Sequence, residues 1–111
     1  FGDGAFGFNG MEFVTLIRHG MPVVAVGVND GAWNNIKAVH RMLYPERMVG
    51  ADLGVRPYEK MVEALGGYGE FVDGPSELRP ALERAAESGV PALVNVGIAD
   101  QLRLSSVYGG V

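Results

Sequence analysis

The chain has 111 residues, 48% of them apolar and 20% charged, with a formal net charge of −4 and no cysteine. That length is one domain of ordinary globular composition. The acidic balance and the scattered basic residues argue against a nucleic-acid surface, the absence of cysteine excludes disulfides and thiolate metal sites, and no run of apolar residues is long enough for a membrane helix. No positively charged leader precedes a cleavage site, and a cytoplasmic location is expected.

Residues 2–7 are glycine-rich and predict a turn. Asn9 then reads as a helix N-cap, with Glu12 in capping-box position. Phe13, Leu16 and Ile17 repeat at helical spacing, Gly20 suits a left-handed C-cap, and Pro22 blocks continuation. Residues 23–28 are apolar and β-branched, as in a strand buried on both faces. Asn29-Asp30-Gly31 breaks that strand. Asn34 or Asn35 is expected to cap a second helix with Ile36, Val39 and Leu43 on one face and Pro45 as its stop.

Residues 46–56 look irregular. Pro57 fits the first position of a third helix whose inner side carries Tyr58, Met61, Val62 and Leu65. Glu70-Phe71-Val72 reads as a short strand. Asp73-Gly74-Pro75 turns into a fourth helix with Leu78, Leu82, Ala85 and Ala86 buried, capped by Gly89. Residues 92–96 form the next buried strand, and residues 99–111 read as a tail. Helices alternating with strands predict an α/β domain of three layers around a parallel sheet. The glycine turn should follow a strand that is missing or reduced to Phe1. This predicts that residues 1–111 are a single domain within a larger protein.

Ligands of open α/β sheets bind at the carboxyl ends of the strands, where both Gly2-Asp3-Gly4 and Asn29-Asp30-Gly31 fall. Two readings stay open on the residues alone. Gly2, Gly4 and Gly7 match the dinucleotide fingerprint, with Asp30 where an acid would hold a ribose. Asp30 is also an ordinary turn former.

The sequence from Gly2 to Glu12, Gly2-Asp3-Gly4-Ala5-Phe6-Gly7-Phe8-Asn9-Gly10-Met11-Glu12, resembles the diphosphate-binding domain of thiamine diphosphate enzymes of the acetolactate-synthase-like and 2-hydroxyacyl-CoA lyase branch. Leu16-Ile17-Arg18-His19-Gly20-Met21-Pro22-Val23-Val24 and Ala64-Leu65-Gly66-Gly67-Tyr68-Gly69-Glu70 carry the same likeness. The signature of that family is Gly-Asp-Gly followed, after one helix and one strand, by Asn-Asn or a close variant. Here the second half is Asn29-Asp30, with Asp30 standing 27 positions after Asp3. Asn34-Asn35 is a literal pair at a longer spacing.

The resemblance implies that Gly2, Asp3, Gly4, Ala5, Phe6, Asn29, Asp30, Ala32 and Trp33 bind thiamine diphosphate. It implies that Asp3, Asp30 and the Ala32 carbonyl ligate Mg2+, a hard cation that takes oxygen ligands at about 2.1 Å. The cofactor would serve a carboligase or lyase acting on a small 2-oxo acid or acyl-CoA. The catalytic glutamate would come from a pyrimidine-binding domain of the same or a neighbouring subunit, so a homo-oligomer is expected. A nicotinamide-dependent oxidoreductase domain and a non-catalytic interaction module are the competing classes. His19, His40, Lys37, Arg41 and Arg47 are weaker candidates, each with an ordinary structural explanation.

Overall fold

A computed structural model of the protein describes residues 1–99. Three parallel strands, β1 (Val24–Asn29), β2 (Tyr68–Val72) and β3 (Ala92–Gly97), form a sheet in the order β1-β3-β2. Ala92 is in register with Val24 on one side and Tyr68 on the other. Phe1 and Gly2 lie beside β1. Val28 N–H donates to Phe1 O at 2.7 Å, the Phe1 amino group donates to Val26 O at 3.0 Å, and Gly2 makes a parallel bridge with Val28. The strand expected before the glycine turn is therefore represented by these two residues. They reach the carboxyl edge of the sheet together with β1.

Side chains of the central strand alternate between two cores, because successive Cβ atoms of a strand point to opposite faces. Ala92, Val94 and Val96 pack with Ala81 and Ala85 of α5 (Pro75–Glu87). Leu93 packs on the other face with Val62 of α4 (Tyr58–Ala64), Phe6 of α1 (Asp3–Asn9) and Phe13 of α2 (Phe13–Arg18). The result is the three-layer parallel architecture that the pattern predicts. Among the described residues no helix is long and apolar enough to cross a membrane.

Several local expectations are corrected. The predicted glycine turn is already helical from Asp3: Phe6 N–H bonds to Gly2 O at 3.1 Å, and burial of the Phe6 ring outweighs the glycines' weak helix propensity. Asn9 makes no side-chain cap. It ends α1, and a 3-10 turn over Gly10–Glu12 leads into α2, while Glu12 accepts a bond from the Thr15 hydroxyl at 2.8 Å. Asn34 is the first residue of α3 (Asn34–Leu43) rather than its cap, and Trp33 holds the cap position. Ile36 and Leu43 are half exposed and Ala38 is buried instead, so the predicted apolar face of α3 is only partly covered. Pro57 precedes α4 instead of starting it, and Ala81 takes the buried place expected of Ala86. Gly20 does adopt the left-handed conformation, with φ 61°, and Met21 N–H closes on Leu16 O at 3.0 Å. Most of the predicted tail lies outside the described residues; Ala99 is in no helix or strand.

Candidate functional site

At the carboxyl edge of the sheet, the start of α1, the turn after β1 and the first turn of α3 enclose a cavity of about 270 Å³. Asp3 is the buried member, 3% exposed. Its Oδ1 accepts the Gly4 N–H at 2.9 Å and its Oδ2 accepts the Gly31 N–H at 3.0 Å. One carboxylate thus joins the two glycine clusters. Burial pushes the Asp3 carboxyl above its ordinary value. The Gly4 bond opposes this, and the nearby Asp30 charge raises it again. Burial also raises the Tyr58 hydroxyl, with the Asp3 charge adding to it.

Asp30 is half-buried. Its Oδ1 accepts Ala32 N–H at 3.2 Å, and its Oδ2 accepts from Asn34 Nδ2. The turn between them needs Gly31, whose φ is 72° and whose absent Cβ would stand 2.9 Å from Val55 N. Gly31 O in turn accepts Leu53 and Gly54 N–H, both at 2.8 Å, and Trp33 N–H donates to Ala51 O at 2.8 Å. These bonds flank an antiparallel bridge between Ala32 and Asp52. Ala32 holds the non-hydrogen-bonded position of that bridge, so its own carbonyl turns away from residues 51–53.

The Trp33 indole lies on Gly4, within 2.8 Å of where a Cβ would be, and stacks obliquely with Phe8 at 5.4 Å. Two helices, α1 and α3, begin at the cavity with no side-chain cap. Their first-turn N–H groups and dipoles favour an anion. Among the described residues, those around the cavity include both carboxylates and no basic side chain. Among the described residues no third carboxylate or histidine joins them to make a side-chain metal cluster.

A family model described as "Thiamine pyrophosphate enzyme, C-terminal TPP binding domain" matches residues 1–96. The chain belongs to that family. This thiamine pyrophosphate-binding domain is 53% identical over 95 residues to a probable acetolactate synthase of Mycobacterium bovis, covering 86% of this chain and 17% of that protein. It is 35% identical over 100 residues to a 2-hydroxyacyl-CoA lyase of Oryza sativa subsp. japonica, again over 86% of this chain and 17% of the relative. The solved benzoylformate decarboxylase from Polynucleobacter necessarius superposes on 92% of this chain and 19% of its own, with a TM-score of 0.82 and 20% identity, which shows the shared fold. The domain therefore spans under a fifth of the length of the relatives it matches. Family membership decides against the dinucleotide reading of Gly2, Gly4 and Gly7.

Within this domain, Gly2, Asp3, Gly4, Ala5, Asp30, Ala32 and Trp33 all border the cavity, as do Asn34 and Asn35. Two of the expected contact residues turn their side chains away from the cavity. Phe6 turns into the core, stacked on Phe1 at 5.7 Å and tilted against Tyr58 at 5.0 Å, because the helical turn that starts at Asp3 carries it to the sheet side. Asn29 is fully buried and faces the interior, since its neighbour in an alternating strand end, Asp30, takes the cavity side. Its Nδ2 donates to Arg56 O at 2.9 Å and to Asn95 Oδ1 at 3.2 Å. His19 is exposed at the end of α2, His40 lies within α3, Lys37 pairs with Asp52 at 2.6 Å, and the Arg47 guanidinium stands 5.9 Å over the Tyr44 ring.

The residues that sequence reasoning missed are Glu59, Asn95 and the backbone of residues 51–56. A signal existed for two of them. Asn95 interrupts the apolar run of β3, and Glu59 sits on the apolar side of α4 beside Val62. A polar residue inside a buried stripe needs a hydrogen-bond partner.

Proposed function

We propose that Asp3, Asp30 and the Ala32 carbonyl hold Mg2+, and that the cation and the first turns of α1 and α3 together hold the diphosphate of thiamine diphosphate. The observation that carries this reading is the convergence of both carboxylates on one cavity that, among the described residues, no basic side chain lines. Alone, the two acids would repel a diphosphate. A divalent cation between them reverses that sign.

The residues fit such an ion. Each Asp3 oxygen accepts one N–H and keeps a further lone pair, since a carboxylate offers about four acceptor sites. Burial raises the Asp3 carboxyl, with the Asp30 charge adding to it, so a cation beside it favours its charged form. Ala32 has a carbonyl turned away from its ladder, as a backbone ligand requires. Asp30 stands where the family pattern has Asn. The added charge strengthens the demand for metal, and this register is favoured over Asn34-Asn35 because Asp30 directly follows β1. Asn34 supports Asp30 through its amide.

Thiamine diphosphate supplies the electron sink for bond making or breaking next to a carbonyl. The chain's own residues bind and orient it: Asp3 fixes the turn after β1, the turn presents Asp30 and Ala32, and Trp33 walls the cavity over Gly4. By likeness to the relatives so named, the parent reaction is a carbon–carbon lyase or carboligase step on a small 2-oxo acid or acyl-CoA. Residues 1–111 form one domain of that enzyme. A pyrimidine-binding domain of the same or a neighbouring subunit completes the site within a cytoplasmic homo-oligomer.

Titration calorimetry of the full-length enzyme with thiamine diphosphate, in Mg2+ and in EDTA, tests the reading. Binding is expected in Mg2+ and absent in EDTA. Equal affinity in both refutes the metal role.

A further inference from the structure

Behind the turn that carries Asp30, a second polar cluster joins three elements in the interior. Asn29 at the end of β1, Asn95 on β3 and Glu59 in the first turn of α4 are 0%, 1% and 5% exposed. Asn95 Nδ2 donates to Glu59 Oε2 at 2.7 Å and to Arg56 O at 3.1 Å. Asn29 Nδ2 donates to the same Arg56 carbonyl and to Asn95 Oδ1. One backbone carbonyl is thus gripped by side chains from two strands, and one of those side chains is itself held by a buried acid.

Arg56 ends a segment that has no helix or strand of its own yet clasps the site. Leu53 and Gly54 bond to Gly31 O, Ala51 O accepts from Trp33, and Asp52 pairs with Lys37 of α3. Gly31 is the residue whose N–H reaches Asp3. An apolar trio would fill the interior with less desolvation penalty than two amides and an acid. Stability alone does not account for them, whereas the fixed height of Arg56 does.

We propose that Glu59 and Asn95 are positioning residues that set residues 51–56 as a strap, and that the strap holds Gly31 and Ala32 at the height from which Asp3 and the Ala32 carbonyl reach the cation. The proposal rests on the metal reading above.

The test uses the full-length enzyme with Glu59→Leu, Glu59→Gln and Asp52→Ala. The readouts are calorimetric affinity for thiamine diphosphate in saturating Mg2+ and hydrogen exchange of the peptide covering residues 51–56. Glu59→Leu is expected to weaken affinity about tenfold or more, as for outer partners of metal ligands, and to speed exchange in the strap while the sheet exchanges at the native rate. Glu59→Gln keeps an acceptor oxygen for Asn95 and is expected to restore both. Native affinity and native strap exchange in Glu59→Leu overturn the proposal, as does a Gln variant no better than Leu. Should Glu59→Leu not fold, Asp52→Ala loosens the same strap from its exposed side. Faster strap exchange with weaker binding supports the link, and faster exchange with native affinity overturns it. If wild-type binding ignores EDTA, the metal reading fails, and strap exchange in the Glu59 variants still decides the strap.

Discussion

Replacing Asp3 by Asn separates a binding role from a folding role. The Asp3 carboxylate accepts two buried N–H donors, from Gly4 at 2.9 Å and Gly31 at 3.0 Å. An Asn side chain retains one acceptor oxygen and turns an NH2 group toward the other donor. Leaving one buried N–H unsatisfied costs about 1–3 kcal/mol. Against this, neutralising the side chain removes the burial penalty and the repulsion from Asp30 that raise the Asp3 carboxyl. The two effects oppose, so the stability of the cofactor-free protein should stay within about 1–2 kcal/mol of wild type. Cofactor binding has no such offset, because a charged metal ligand is lost. We expect affinity for thiamine diphosphate in Mg2+ to fall at least about a hundredfold, equivalent to about 2.7 kcal/mol. Urea unfolding of the apo enzyme and calorimetry on the same preparation measure both quantities. Retained binding refutes the ligand assignment. A large loss of apo stability that accounts for the loss of binding refutes the reasoning on opposed effects.

Asp30→Asn keeps the oxygen that accepts Ala32 N–H, and Asn34 can rotate its amide to match. Calorimetry should find its affinity within about tenfold of wild type, as for a change that spares the ligand oxygen, and a loss as deep as that of Asp3→Asn would favour Asn34-Asn35 as the second ligand cluster. Gly4→Ala puts a Cβ 2.8 Å from the Trp33 ring. Overpacking of about 1–3 kcal/mol should exceed the gain of up to about 1 kcal/mol in helix propensity, and thermal melting of Gly4→Ala against Gly4→Ala/Trp33→Ala should show relief in the double variant. Among the described residues, Glu70 carries a clear acid-side effect away from the site: its bond with Arg84 holds the carboxyl below its ordinary 4.5. Its stabilisation is therefore present above pH 4.5 and lost as pH falls through the lowered value, so urea midpoints of wild type and Arg84→Leu should converge in acid. The isolated 111-residue chain should show no turnover of pyruvate or 2-hydroxyacyl-CoA with cofactor and Mg2+, and product formation above background would show that its site is complete.

The sequence by itself determined that Asp3 and Asp30 meet at one edge of the sheet, and it determined the scaffold between them. Asp3 and Asp30 are separated by one helical stretch and one β-branched run, and a parallel sheet returns both to the same edge, so their convergence follows from local periodicity and connection rules. The Gly20 stop, the burial of β3 and the two-faced core were legible for the same reason, because each depends on residues close in the chain. Other features depended on contacts between distant segments. That α1 begins at Asp3 was decided by packing of Phe6 against Phe13 and Tyr58, which outweighs the glycines' preference for a turn. That Asn29 faces the interior while Asp30 faces the cavity was decided by Arg56 and Asn95, 27 and 66 positions away. Residues 46–56 read as an irregular loop because their order comes from bonds to Gly31, Trp33 and the buried amides, and no pattern within the segment records those partners. Local patterning fixes which elements form, and hydrogen bonds between buried polar groups far apart in the chain decide where the turn at the end of β1 stands.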